Sequence, residues 1–174
     1  YSEMAQRVED CDTDADIFHE LTRKLSVIDV KKALSDRFRP EQIARLGNNH
    51  IIYPSLGRAA YERLIRVTAD NYADEVFAKS GVRFRIEATV LEQIYANGVF
   101  QAQGTRPLFS SIHAILSATL VDATLWALEC GAAGGGGGSI GFDGARQCLV
   151  ARLDGKERFF PANFELNRLK QRAN

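Results

Sequence analysis

The sequence lacks the cysteine and histidine spacings that build metal and disulfide sites. Its three cysteines, Cys11, Cys130 and Cys148, are scattered, with no CxxC pair and no regular framework. An odd number of isolated thiols points to a reducing compartment and to small, half-buried side chains. His19, His50 and His113 share no ligand spacing, so no metal is expected. An excess of charge of one sign is also missing, because 22 Lys and Arg balance 22 Asp and Glu. Nucleic-acid binders draw affinity from neutralising phosphates and carry a basic excess, so no nucleic-acid partner is expected. No uninterrupted apolar run approaches the roughly 20 residues that cross a bilayer, and no secretory signal pattern opens the chain. The expected location is cytoplasmic, with no membrane partner.

What is present suits a globular protein. With 174 residues, 45% of them apolar, the chain is long enough for one domain with a core, or for a small domain and a fragment of another. Residues 1–13 are polar and acidic. Ile17, Leu21, Leu25, Ile28 and Leu34 then predict a helix over about 16–36, although Val27 and Val30 disturb its stripe. Pro40 interrupts, a short helix follows over 41–46, and Gly47-Asn48-Asn49 signals a turn. His50–Tyr53 is a β-prone run closed by Pro54.

From Arg58 to Lys79 the apolar positions recur at threes and fours, with Gly81 placed to cap the helix. Val82–Ile86 alternates as a strand with one buried face does, and Ala88–Ala96 reads as a short helix ended by Asn97-Gly98. Pro107 sits in the first turn of a further long helix that stops near Cys130-Gly131. Gly134–Gly138 reads as a flexible connection. It is no phosphate loop, since no GxxxxGK[ST] pattern surrounds it. Ser139–Phe142, Gln147–Leu153 and Glu157–Phe160 read as short strands, with Asp154-Gly155 as a hairpin turn. The expected fold class is α+β, mainly helical with a small three-stranded sheet.

Two segments are more specific. Phe38-Arg39-Pro40-Glu41-Gln42-Ile43-Ala44-Arg45, followed by His50–Tyr53 and Pro54-Ser55-Leu56, resembles the F-x-P-E-[FL]-x-x-R segment of Clp-type AAA+ unfoldases. Gly104-Thr105-Arg106-Pro107-Leu108 resembles that family's G-A-R-P-L motif. The resemblance covers about residues 35–160. It implies that residues 1–53 are the end of an α/β large subdomain and residues 54–174 the small, or lid, subdomain. It also implies that Arg45 is an arginine finger acting on a neighbouring subunit's site and that Arg106 is sensor 2, touching the phosphates of nucleotide bound by its own subunit. Guanidinium groups suit that work, because phosphoryl transfer needs fixed positive charge around the γ-phosphoryl oxygens. Mg-ATP would be the parent's cofactor, sister subunits of a homo-oligomeric ring (a hexamer) its partners, and proteins its substrates. Thr105 stands where the family has alanine. Neither a Walker A loop nor an apolar run ending in Asp-Glu occurs, so this chain alone is not expected to hydrolyse ATP. Glu41 is expected to cap or position its helix and not to act as a catalytic base. The alternative reading is a non-catalytic protein-interaction or oligomerisation module.

Overall fold

The computed structural model describes residues 15–47, 50–132 and 136–162. The chain divides into two compact units, Tyr1–Arg58 and Ala59–Asn174.

In the first unit, α1 (Ala15–Arg23), α2 (Val27–Ser35) and α3 (Pro40–Ala44) are joined by short turns. The single helix expected over 16–36 is therefore two. Ser26 breaks it by capping α2: its hydroxyl accepts from Asp29 N at 3.3 Å, while Ser26 N donates to the Asp29 carboxylate at 2.9 Å. This reciprocal pair satisfies backbone donors that a continuous helix would have satisfied otherwise. The strand expected over His50–Tyr53 does not form. A strand needs a neighbour for its backbone groups, and none of the described residues in this unit supplies one. Ile51 and Tyr53 are consequently 79% and 83% exposed. Val27, Val30, Leu34, Leu46, Ile51 and Ile52 line an open apolar groove.

Side chains of α1 fix the end of this unit. Ser55 N donates to Thr22 Oγ1 at 2.9 Å, the His19 ring bonds the Ser55 carbonyl, and Arg58 N donates to Asp16 Oδ1 at 2.8 Å.

The second unit is an α+β fold. Helix α4 (Arg58–Ser80) buries Tyr61, Ile65, Ala69 and Ala73, one residue per turn. It ends at Gly81, whose φ of +72° lets its N–H reach back to Phe77 O at 2.8 Å. Next come β1 (Arg83–Ile86), α5 (Ala88–Gly98), a 3₁₀ turn (Gln101–Gln103) and α6 (Arg106–Glu129). Strands β2 (Gly137–Asp143), β3 (Cys148–Leu153) and β4 (Lys156–Pro161) complete it. The sheet has four strands, not three, in the order β1-β2-β3-β4. Its extra member is β1, which pairs in parallel with β2, Arg83 opposite Gly137 and Ile86 opposite Ile140. A parallel pair needs a long crossover, and α5 and α6 provide it.

Part of the glycine run is thus strand and not linker. Gly136 O accepts from Arg83 N at 3.2 Å, and Gly137 and Gly138 lie within β2. A Cβ on Gly137 would stand 2.7 Å from Arg83 O, and one on Gly138 would overlap Arg152 O. The absence of side chains lets β2 fit between its neighbours. Gly134 and Gly135 lie outside the described residues, as does the tail from residue 163. The Asp154-Gly155 turn has φ of +48° and +75°, the pair of positive angles that a two-residue hairpin requires. Phe84, Ile86, Ile140, Leu149, Ala151 and Leu153 of the sheet share a core with Val90 and Ile94 of α5 and Leu108, Ile112, Leu116 and Leu120 of α6.

Candidate functional site

The two arginines implicated by sequence stand in different units. Arg45 follows the last residue of α3, at the helix C-cap, and is exposed. Its N–H donates to Glu41 O at 3.3 Å. Glu41 does not cap this helix with its side chain. The cap comes from Gln42, whose Oε1 accepts from Arg39 N at 3.0 Å. Glu41 and Arg45 are both on the surface.

Arg106 is the first residue of the 24-residue α6. Its neighbours explain how the segment is shaped. Gly104 holds φ at +68°, a conformation that side chains disfavour, and so turns the chain out of the 3₁₀ segment. Thr105 O starts the helix by accepting from Phe109 N at 3.2 Å. Pro107 occupies a first-turn position where no N–H is needed. Leu108 is fully buried. The Arg106 side chain is exposed, and among the described residues neither it nor Arg45 has an ion-pair partner.

The start of α6 is held from below by the end of α5. Asn97 and Gly98, read in the sequence as the turn after a helix, are instead its buried last residues. A Cβ on Gly98 would come within 3.1 Å of Leu108 Cα and 3.0 Å of Ser111 Cβ. Glycine therefore allows the two helices to touch backbone to backbone near Arg106.

A polar cluster that sequence reasoning missed fastens the other end of α5. Glu87, the N-cap residue of α5, takes both carboxylate oxygens to Arg152 Nη1 at 3.0 Å and accepts from Ser139 Oγ at 2.6 Å. Arg152 Nε also donates to Glu157 at 2.9 Å. Partial burial pushes the Glu87 carboxyl up, but the Ser139 hydroxyl and the Arg152 guanidinium outweigh it and hold the group below the usual carboxylate range. Gly141 makes room for this arrangement, since a Cβ there would meet the Glu87 carboxylate and stand 2.7 Å from Arg152 Nη1. Glu87 and Arg152 are 65 residues apart, and no local pattern announces such a pair.

The histidines do not converge. His50 bonds Gly47 O at 2.8 Å and His113 bonds the Tyr72 hydroxyl at 3.0 Å. Among the described residues no group of three His, Cys, Asp or Glu side chains could hold a metal ion. No family model matches the chain, and no curated protein sequence matches it.

Proposed function

We propose that this chain is the carboxy-terminal part of a Clp-type AAA+ ATPase, contributing Arg106 as sensor 2 and Arg45 as an arginine finger to ATP hydrolysis coupled to protein remodelling. One observation carries the reading. In Gly104–Leu108 the glycine, the proline and the leucine each answer a demand of the fold, through a positive φ, a first helical turn and a core position. The exposed Arg106 answers none. A charged fork that the fold does not require, at the positive end of a long helix, suits a phosphate group. Arg45, exposed beyond a short helix, has the reach that a group acting on a neighbouring subunit needs.

The division of labour is then chemical. The phosphates and Mg²⁺ of ATP are held by a phosphate loop that this sequence lacks. The arginines offset charge that develops on the γ-phosphoryl oxygens. The partners are sister subunits in a ring, a hexamer in the family resembled, and the substrates are proteins. Arg45→Ala in the parent ATPase lowers hydrolysis by roughly 10³–10⁵-fold while ATP binding persists. Mixing this variant with one that lacks the phosphate-loop lysine but keeps Arg45 restores part of the activity, because some sites regain a loop and a finger from different subunits. Mixed rings, verified by sizing, that show no rescue at any ratio overturn the assignment.

A further inference from the structure

The sequence contains a single Asn-Gly step, Asn97-Gly98, and the fold encloses it. The two residues close α5, and Asn97 is 2% exposed. Its Nδ2 donates to Gln93 O at 2.7 Å, while its Oδ1 has no hydrogen-bond partner among the described residues. Gly98 is wedged against α6, where a Cβ would stand 3.1 Å from Leu108 Cα and 3.0 Å from Ser111 Cβ. The contact between the two helices therefore requires glycine at this position.

Glycine also makes the asparagine before it reactive. With no side chain in the way, the Gly98 amide nitrogen can reach the Asn97 side-chain carbonyl carbon. Its attack forms an N–Cγ bond and breaks the Cγ–Nδ2 bond. Ammonia leaves, carrying the proton that the Gly98 nitrogen gives up, and a five-membered succinimide remains. Water then opens the ring. Addition at Cγ gives aspartate, and addition at the main-chain carbonyl gives isoaspartate, whose backbone runs through the former side chain. Water is the only co-reactant.

The fold opposes the first step. Ring closure turns ψ of Asn97 away from the helical value of about −42°. It also takes the Gly98 N–H out of the helix ladder and the Asn97 amide off Gln93 O. We infer that Asn97 is a modification site that is guarded while the second unit is folded, deamidates when the unit opens, and then bars it from closing. Aspartate sets a carboxylate oxygen against the Gln93 carbonyl, acceptor facing acceptor, where even the neutral Oδ1 finds no donor. Isoaspartate adds a methylene to the main chain at the point where α5 touches α6, a contact with no room for one. Opening thus becomes irreversible with time. The inference is independent of the ATPase reading, since it uses neither Arg45 nor Arg106.

The whole chain is incubated in mildly alkaline buffer, with and without urea above its unfolding midpoint, and Asn97 is followed by peptide mass spectrometry. Deamidation in native buffer is slower by at least about a hundredfold, because only the open fraction reacts. Leu116→Ala, which weakens the core of the second unit, raises the native rate by the factor by which it raises the unfolding constant. After urea is removed, the deamidated fraction fails to recover the Trp126 fluorescence of the folded chain, whereas Asn97→Ala held in urea for the same time recovers it. Asn97→Asp lowers the urea midpoint or does not fold. Native and urea rates within a few-fold of each other, or a native rate that Leu116→Ala leaves unchanged, overturn the guard. A deamidated chain that refolds with the wild-type midpoint, an Asn97→Ala chain that fails to refold, or an Asn97→Asp chain as stable as wild type overturns the bar.

Discussion

Residues 15–58 and residues 59–162 contain the same kinds of apolar side chain and dispose of them differently. Among the described residues of the first unit only Ala15 is fully buried, while Ile17, Ile28, Phe38, Leu46, Ile51 and Tyr53 are half exposed or more. In the second unit a sheet and three helices bury an aliphatic layer from Tyr61 to Phe160. The difference lies in layers and not in composition. Three short helices and an extended segment give apolar groups nothing flat to press against, whereas a helix laid on a sheet does.

The largest effect that tests this contrast is a pair of truncations. Leu116→Ala, in the core of α6, costs about 2–5 kcal/mol of stability. Ile28→Ala, at a position 78% exposed, costs within about 0.5 kcal/mol. Urea unfolding followed by Trp126, the one tryptophan, reads the second unit, and amide exchange reads both. Comparable losses from the two variants would mean that the first unit has a core of its own.

Two glycines sharpen the contrast within the second unit. Gly138→Ala drives a methyl group into Arg152 O and within 3.2 Å of Phe84, so it costs about 1–3 kcal/mol and exposes the β1–β2 amides to exchange. Gly144→Ala meets nothing and is not held at positive φ, so it is neutral or stabilises by a few tenths of a kcal/mol. If both behave alike, β2 is not wedged between its neighbours.

A smaller effect comes from the clasp at Glu87. Its folded-state carboxyl lies below the unfolded value of about 4.3. Its stabilisation is therefore complete above that value and is lost as pH falls through the lower, folded one. Arg152→Met removes about 1 kcal/mol at neutral pH, a modest figure because the guanidinium is 43% exposed. The difference between the variant and wild-type urea midpoints narrows as pH is taken toward 3. A difference that is constant with pH would make Arg152 a packing residue only.

Legibility followed the range of the forces involved. Helices α4, α5 and α6 and the Asp154-Gly155 hairpin were readable because periodicity, Pro107 and paired positive-φ residues act over a few positions. The break at Ser26 was also local, but its cap used Asp29, and an aliphatic stripe masked it. The His50–Tyr53 run has strand chemistry without a strand to join among the described residues of its unit, and propensity cannot see a missing neighbour. Gly137 and Gly138 look like linker by composition and are strand by steric need, a fact held in Arg83 and Arg152. At the candidate site, Arg45 and Arg106 were singled out by resemblance and not by any local physical signal. Glu87, Ser139 and Arg152 come together only through the folded sheet.

The parallel β1–β2 pair also bears on how the second unit is made. The β3–β4 hairpin closes over two residues and the β2–β3 connection over four, so the antiparallel meander needs only local search. Joining β1 to β2 requires Arg83 to find Gly137 after both helices of the crossover have been laid down. Closing so long a loop costs entropy that only the finished contacts return, and topologies with such distant pairings fold slowly. Contact order thus predicts that the meander forms early and that β1 joins last, an order that pulse-labelled amide exchange during refolding would check. Until β1 arrives, the glycine-flanked edge of β2 stands open to any other strand in reach.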